Sequence, residues 1–194
     1  MRRLSVIISG LPSVGKTTLA KRLAERYSLR YVSGGDLLKE LAGQLGFRVQ
    51  EAGWWETEEG FRFLEKRRGD PEFDKKVDEQ LLRLVSEGGV AVTSYTLPWL
   101  SPFGVKVWLK ASQEERARRL MKRDRIPYAK ALELIKKRDQ ENRELYSALY
   151  GIRLGEDLSV FHLVVDTEAL DEDRLYNVVQ AYLDGVGGYT AGAT

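Results

Sequence analysis

Residues 10–17 have the types and spacing of a phosphate-binding loop. They read Gly10-Leu11-Pro12-Ser13-Val14-Gly15-Lys16-Thr17 and match the pattern G-x-x-x-x-G-K-[ST]. Glycines allow a tight turn whose N–H groups point at a phosphate, and the following helix presents its positive N-terminus to the same anion. In such a loop the lysine contacts the β- and γ-phosphates and the hydroxyl coordinates Mg²⁺. We therefore expect an ATP or GTP site that includes these residues and Thr18, with Lys16 catalytic and Thr17 as the metal ligand.

The segments on both sides of the loop fit this reading. Residues 4–9 (LSVIIS) form a nearly continuous apolar run, typical of a strand buried on both faces of a parallel sheet. After the loop, apolar residues at 19, 20, 23, 24 and 27 follow the spacing of one helix face. A strand, a turn and a helix in this order are the context that the motif requires, so an ordinary turn with an exposed lysine is the weaker interpretation.

The rest of the chain alternates strands and helices. We expect strands at 29–32, 90–93, 105–109 and 161–165, and helices at 33–41, 73–87, 113–149 with a break at Ile126-Pro127, and 173–183. Five strands that alternate with helices predict a doubly wound α/β fold with a five-stranded parallel sheet. Residues 47–72 interrupt the alternation as an insertion. We interpret residues 1–184 as one domain and 185–194 as a mobile tail.

Composition narrows the classes of function. The chain has 194 residues with 43% hydrophobic and 31% charged residues, enough to bury one core. Lys plus Arg is 31 against Asp plus Glu at 29, so no bulk charge favours a nucleic-acid polymer. With no cysteine and one histidine, disulfides, thiol nucleophiles and zinc hydrolase sites are disfavoured. The apolar run near the N-terminus is too short for a signal peptide or a membrane span, so we expect a soluble cytoplasmic protein, monomeric or weakly oligomeric.

The acceptor of the phosphoryl group must be inferred from the other segments. The sequence lacks the N-K-x-D motif by which GTPases read their base, and the third core strand ends Val92-Thr93-Ser94 rather than in aspartate. A small kinase fits better, with the insertion holding the acceptor and the Arg-rich segment closing over the transferred group. The alternative from another class is a binding or assembly protein that ATP switches, with the aromatic insertion as its partner surface.

Four segments together resemble the archaeal-type cytidylate kinases. They are SGLPSVGKTTLAKRLAERYSLRYVSGGDLLKELA at 9–42, FDKKVDEQLLRL at 73–84, VKVWLKASQEERARRLMKRD at 105–124 and YGIRLGEDLSVFHLVVDT at 150–167. The resemblance implies a nucleoside monophosphate kinase that transfers the ATP γ-phosphoryl group to CMP or dCMP with Mg²⁺. It also implies a monophosphate-binding region at about 34–88 and a lid at about 119–146. UMP, AMP or a non-nucleotide metabolite remains the alternative acceptor.

The resemblance assigns roles to residues on both substrates. On the acceptor side it implies Ser33, Asp36, Lys39 and the paired acidic residues Asp74 and Asp78. On the ATP side it implies the lid residues Arg119, Arg123 and Arg138 and, in the loop around the base, Asp166 and Thr167. Arg123 and Arg138 would contact the phosphoryl group; otherwise they belong to a solvated helix face with ion pairs.

The family usually has arginine where Lys39 stands, and two further departures from its pattern bear on the acceptor. Thr93-Ser94-Tyr95 replaces E-G-R, so the arginine that would clamp the acceptor phosphate is missing. Leu145 stands where a lid arginine is expected, with Arg143 two residues away. We hypothesise that one arginine of the insertion replaces the clamp, because a phosphate needs a bidentate donor more than a given chain position. The candidates are Arg62, Arg67 and Arg68.

Several residues have both a functional and a structural interpretation. Ser33 and Asp36 also have the spacing of a helix cap. Tyr95 would stack on or bond the acceptor from the end of its strand. The aromatic residues of the insertion would stack on a pyrimidine, although packing against the core is favoured; they are Trp54, Trp55 and Phe61. His162 lies in an apolar strand without a visible partner and is interpreted as structural.

Overall fold

The computed structural model describes residues 3–50 and 53–186. Its five strands are β1 (Ser5–Gly10), β2 (Arg30–Ser33), β3 (Val90–Thr93), β4 (Val105–Lys110) and β5 (Leu163–Asp166). All neighbouring pairs are parallel, in the order β2-β3-β1-β4-β5. The doubly wound α/β fold predicted from the alternation is therefore confirmed.

Eight α-helices and one 3₁₀ turn connect these strands in the described part of the chain. The helices are α1 (Lys16–Arg26), α2 (Gly34–Gln44), α3 (Glu58–Gly69), α4 (Glu72–Glu87), α5 (Leu97–Leu100), α6 (Gln113–Asp124), α7 (Tyr128–Tyr150) and α8 (Glu172–Gly185). The 3₁₀ turn covers Trp54–Glu56 and precedes α3 in the insertion. The break between α6 and α7 lies at the predicted position, because Arg125 takes a left-handed φ of 55° and Pro127 precedes α7.

The sheet separates two hydrophobic cores. Val6 and Ile8 of β1 join the core with α1 and α8, whereas Ile7 joins the core with α4 and the insertion. Each face of β1 therefore packs against helices, which explains its continuous apolar sequence. Trp54 and Phe63 extend the second core into the insertion, so this segment is anchored on the sheet.

Some boundaries differ from those predicted. Strand β5 begins at Leu163, two residues later than expected, and His162 precedes it. The His162 Nδ1 atom accepts a hydrogen bond from the Lys106 backbone N–H at 2.9 Å, so this histidine connects the last strand to β4. The short helix α5 was not predicted. The predicted mobile tail falls mostly on residues 187–194, outside the described residues. Within the described part, no helix combines the length and apolarity of a membrane span.

Candidate functional site

The phosphate-binding loop begins at a glycine that no other residue could replace without strain. Gly10 ends β1 with φ 146°, and a Cβ atom there would lie 2.4 Å from the backbone oxygen of Leu109 in β4. A side chain would therefore force β1 and β4 apart. The glycine lets the chain leave the sheet and turn toward α1.

Lys16 lies folded over this loop. Its Nζ donates to the backbone oxygens of Gly10 at 2.7 Å and Leu11 at 2.8 Å, and lies 5.1 Å from the centre of the Tyr95 ring. Burial, followed by the positive charges of Arg138 and Arg116, lowers the pKa of Lys16 to about 7. The lysine is therefore surrounded by cations without a full counter-charge, which suits a site for a polyanion.

A second feature of the loop fits a phosphate. Ser13 has a left-handed φ of 64°, and its buried Oγ has no hydrogen-bond partner in the described structure. The exposed Thr17 lies in the first turn of α1, beside the loop. The unsatisfied Ser13 hydroxyl is suited to donate a hydrogen bond to a phosphate. The accessible Thr17 hydroxyl at the helix N-terminus is suited to coordinate the cation bound with that phosphate.

One cavity of about 780 Å³ joins the loop to the insertion and the lid. Of the predicted site residues, it is lined by Pro12, Ser13, Lys16, Thr17, Ser33, Asp36, Lys39, Asp78, Tyr95, Arg123 and Arg138. The structure thus brings together predicted residues that are up to 126 positions apart in the chain, since Pro12 and Arg138 line the same cavity. The phosphate-binding loop and residues of α2, α4 and the insertion therefore border one common space.

The residues predicted around the ATP base lie away from this cavity. Arg119 donates to the Thr167 hydroxyl at 2.9 Å and to the Thr167 backbone oxygen at 2.5 Å, so these two residues meet as expected. Asp166 instead pairs with Lys110 at 3.2 Å and accepts from the Glu168 N–H at 2.9 Å. Thr167 is buried whereas Asp166 is exposed, so only Thr167 is tied to the lid helix α6.

Asp78 lines the cavity and is held there by two hydroxyl groups. Its Oδ1 accepts from the Thr96 hydroxyl at 2.6 Å and its Oδ2 from the Tyr150 hydroxyl at 2.7 Å. Burial raises the pKa of Asp78 to about 6, against the lowering effect of these two hydrogen bonds. The protein therefore keeps a fixed, poorly hydrated carboxyl group where a ligand with N–H donors would be recognised.

The helix-cap interpretation of Ser33 is also confirmed. Its Oγ accepts from the Asp36 backbone N–H at 3.2 Å at the start of α2. Asp36 lies 3.6 Å from the Lys39 ammonium in an ion pair one turn along. All three line the cavity, so capping does not remove them from it.

The structure separates the three candidate clamp arginines. Arg62 pairs with Glu59 at 2.7 Å, and Arg68 with Glu141 and Glu144 at 2.7 and 2.5 Å, all outside the cavity. Arg67 is 2% exposed and lines the cavity. Its Nε and Nη2 donate to the Asp74 carboxylate, and Nη2 also donates to the Tyr146 hydroxyl at 3.1 Å. No described residue accepts from Nη1 of Arg67.

The second departure from the family pattern has no local replacement. Leu145 is buried with Trp108, Ile152 and Leu154. Arg143 is exposed, and its nearest polar contact is the Leu154 backbone oxygen at 3.4 Å from its Nε. This arginine lies outside the cavity lining.

Arg123 and Arg138 reach the cavity from the two lid helices. Both pair with Glu56 of the 3₁₀ turn: Arg138 Nη1 donates to Oε1, and Arg123 Nη2 lies 3.3 Å from Oε2. Arg123 also forms a two-point contact with Asp124 at 2.7 and 2.9 Å. The ion pairs expected for a solvated face therefore exist at Arg123, while Arg138 is only 11% exposed.

The aromatic residues of the insertion mainly pack. Trp54 is 1% exposed, donates to the Arg48 backbone oxygen at 2.9 Å and lies against Phe63. Phe61 packs among the lid residues, with the Lys137 ammonium 3.7 Å from its ring centre. Of the three, only Trp55 lines the cavity. Trp54 and Phe61 are thus structural.

Sequence analysis missed Glu56, Arg116, Asp139 and Asn142. Arg116 and Asp139 form a buried ion pair beneath the loop, and Arg116 Nη1 also donates to the Pro12 oxygen at 3.4 Å. Asn142 lines the cavity and donates to the Arg138 backbone oxygen at 2.8 Å. In a segment so rich in charge, no local pattern distinguishes these residues from exposed ones. Only the packing of α6 against α7, and of the 3₁₀ turn against both, does.

Solved structures with the same fold include two kinases. A shikimate kinase from Bacteroides thetaiotaomicron matches with a TM-score of 0.58 at 14% identity, covering 94% of this chain and 98% of that one. A gluconokinase from Sinorhizobium meliloti matches with a TM-score of 0.53 at 15% identity, covering 96% and 95%. At these identities the likeness establishes the architecture.

Relatives are found by sequence over nearly the whole chain. A cytidylate kinase of Sulfurisphaera tokodaii is 38% identical over 182 residues, which cover 92% of this chain and 94% of the relative. Those of Pyrobaculum islandicum and Methanocaldococcus jannaschii are 34% and 32% identical, with coverage of 93% or more of each chain. The model of the cytidylate kinase-like family matches residues 5–169. The chain therefore belongs to the cytidylate kinase-like family.

Proposed function

We propose that this protein transfers the γ-phosphoryl group of ATP to CMP or dCMP. The observation that carries the proposal is the single cavity in which the phosphate-binding loop faces Asp78, Tyr95 and Arg67. The family and its named relatives supply the base, since they are cytidylate kinases.

In this proposal, residues 10–18 bind the phosphates of ATP. The Lys16 ammonium leaves the carbonyl oxygens of its own loop and contacts the β- and γ-phosphates. Mg²⁺, when bound with ATP, neutralises charge on the phosphates, and Thr17 would be its protein ligand. Arg119, Asp166 and Thr167 would border the ATP base.

The acceptor would bind between α2, α4 and the end of β3. Ser33, Asp36 and Lys39 border its sugar and phosphate, and Asp78 with Tyr95 borders the base. Arg67 would contact the acceptor phosphate through Nη1 alone, because Nε and Nη2 are used by Asp74 and Tyr146. This is a contact by one group, in place of the two-point clamp expected of the arginine missing at Tyr95. Asp74 and Tyr146 fix its guanidinium at the cavity wall, so the remaining donor is oriented before the acceptor binds.

The transfer needs no protein nucleophile. An oxygen of the acceptor phosphate attacks the γ-phosphorus in line, and the bond to the β–γ bridging oxygen breaks, leaving ADP. Lys16, Arg123 and Arg138 stabilise the charge on the moving group. Lid closure excludes water, so ATP hydrolysis without an acceptor should be slow.

The proposal is tested by ADP production from Mg·ATP with CMP, dCMP, UMP, AMP or GMP, against a reaction without acceptor. CMP or dCMP should stimulate the rate most, and Lys16→Ala should lose nearly all transfer while remaining folded. Tight ATP binding without stimulation by any acceptor would instead favour a nucleotide-switched binding protein. Stimulation by another acceptor alone would move the assignment to that substrate.

A second measurement tests the clamp. Arg67→Lys keeps the charge beside Asp74 but loses the Nη1 donor that would reach the acceptor phosphate, so KM for CMP should rise about tenfold or more. Arg62→Lys and Arg68→Lys are matched controls outside the cavity and should leave KM unchanged. If all three variants have the KM of the wild type, Arg67 is not the clamp.

A further inference from the structure

The three arginines of the cavity differ in which edge of the guanidinium is free. Nε and Nη2 form the side-on edge that binds two oxygens at once. Arg67 uses this edge for Asp74, and Arg123 uses it for Asp124. In Arg138, Nε is buried without a hydrogen-bond partner, and Nη2 has none among the described residues either. Among the described arginines that line the cavity, only Arg138 therefore has an Nε–Nη2 edge without a partner.

The remaining group of Arg138 is held by Glu56. Nη1 donates to Glu56 Oε1, while the other oxygen of Glu56 faces Arg123 at 3.3 Å. The Glu56 side chain is only 7% exposed. A buried carboxylate between two guanidinium groups has little freedom to rotate, and it determines how both are turned.

The backbone around Glu56 is itself fixed by packing. Trp54 is buried in the core, and the Thr57 hydroxyl donates to the Trp54 oxygen at 2.6 Å while it caps α3. Gly60 in α3 approaches so closely that a Cβ there would lie 2.2 Å from the same oxygen. The turn that carries Glu56 is therefore pressed between α3 and the core, and its carboxylate has a defined position.

We propose that Glu56 is a positioning residue, which holds Nη1 of Arg138 so that the unpartnered Nε–Nη2 edge can bind the transferred phosphoryl group. The inference rests on the proposed phosphoryl transfer. Glu56 itself does not touch the substrates. Glu56 belongs to the insertion and Arg138 to the lid. Through this contact, the segment that would bind the acceptor also orients Arg138, which would act on the γ-phosphate of ATP.

The kinetic test is a double-mutant cycle. Glu56→Gln keeps the size of the side chain but removes the charge that holds both arginines. We expect kcat to fall about 10- to 100-fold, as for a small misplacement of a reacting group, with both KM values changed less than about threefold. In the Arg138→Ala background the same change should lower kcat much less, because only the contact of Glu56 with Arg123 then remains to be lost. Glu144→Gln, which weakens the Arg68 ion pair between lid and insertion outside the cavity, is the matched control and should keep kcat within about twofold.

An NMR measurement tests the orientation of the Arg138 guanidinium group without requiring turnover. The Nε–H signal of Arg138, identified by its absence in Arg138→Lys, should be distinct in the ¹H–¹⁵N spectrum of the free wild type and should merge with those of exposed arginines in Glu56→Gln. Glu56→Asp, which retracts the carboxylate by one methylene, should give the same loss and serves if Glu56→Gln does not fold.

The experiments distinguish a failure of the proposed phosphoryl transfer from a failure of the positioning role of Glu56. If neither CMP nor dCMP is phosphorylated, the proposed function is wrong, and the Nε–H signal alone decides the role of Glu56. If transfer occurs but Glu56→Gln leaves kcat and the signal unchanged, or lowers kcat equally in the Arg138→Ala background, the positioning role is overturned.

Discussion

Arg116 and Asp139 form an end-on, two-point ion pair directly beneath the phosphate-binding loop. Arg116 Nη1 lies 2.8 Å from Oδ1 and Nη2 lies 2.6 Å from Oδ2, with the side chains 2% and 1% exposed. Because Arg116 Nη1 also reaches the Pro12 oxygen, the pair connects the loop to both lid helices. It lies outside the cavity lining and supports the site from below.

Removal of one partner of this pair should destabilise the protein strongly. Arg116→Met or Asp139→Leu leaves an uncompensated buried charge, for which we expect a loss of about 3–5 kcal/mol in the free energy of unfolding. Urea denaturation measures it. The double variant Arg116→Met/Asp139→Leu should recover most of this loss, because no charge remains buried. Equal losses in the single and double variants would contradict this account.

The affinity for nucleotides should depend on the protonation of Lys16. Its pKa is lowered to about 7 in the free protein, whereas bound phosphates favour the ammonium form. Above pH 7 binding must therefore take up a proton, and the Kd for ATP should rise toward about tenfold per pH unit. Titration calorimetry from pH 7 to 9 in buffers of different ionisation enthalpy measures the Kd and the proton together.

A lysine-free site provides the control for that titration. Lys16→Met should bind ATP weakly and with little change between pH 7 and 9, a range in which phosphate groups with a second pKa of about 6 stay ionised. A wild-type Kd that is constant over this range would show that Lys16 is already protonated in the free protein.

The buried carboxylate of Asp78 should lower the free energy of unfolding at neutral pH. Its pKa is raised to about 6 from an ordinary 3.8, so the folded state binds the proton more tightly than the unfolded state. The stability cost is therefore absent below about pH 4, grows as the pH rises toward 6 and is complete above 6. Asp78→Asn should raise the free energy of unfolding by about 1–3 kcal/mol at pH 7.5 and remove this pH dependence.

The same variant should bind the acceptor more weakly. We expect the KM for CMP to rise about tenfold or more, since a carboxyl group that accepts from the base is replaced by an amide. Glu79→Gln, an exposed change one residue along α4, should alter neither stability nor KM. An Asp78→Asn enzyme with the KM of the wild type would exclude Asp78 from the acceptor site.

Gly10→Ala tests the start of the loop. The new Cβ would meet the Leu109 oxygen, so we expect a loss of about 2–4 kcal/mol in the free energy of unfolding together with the loss of ATP binding. Gly69→Ala is the matched control, because a Cβ atom at this position, at the end of α3, would meet no neighbouring element within 4 Å. Thermal unfolding and ATP titration of both variants give the comparison, and similar behaviour of the two alanine variants would contradict the expected clash at Gly10.

Local sequence was sufficient for the sheet and the donor loop. The apolar run of β1 and the glycine and lysine spacing of residues 10–17 depend on neighbours only a few positions away, so their structure could be predicted. The helix cap at Ser33 and the break before α7 are local in the same sense. For this reason the order of strands and helices and the family resemblance both followed from the chain itself.

The arrangement of charges depended on tertiary structure. Arg67, Arg116 and Arg138 look like their exposed neighbours in a sequence with 31 basic and 29 acidic residues. Each obtains its role from a partner on another element: Asp74 in α4 for Arg67, Asp139 in α7 for Arg116 and Glu56 in the 3₁₀ turn for Arg138. The energy of an ion pair depends on distance, burial and orientation, none of which is encoded by spacing along one helix. The sequence by itself therefore determined the fold and the phosphate loop, whereas only the packing of lid and insertion decided which cavity-lining arginine keeps an unpartnered Nε–Nη2 edge.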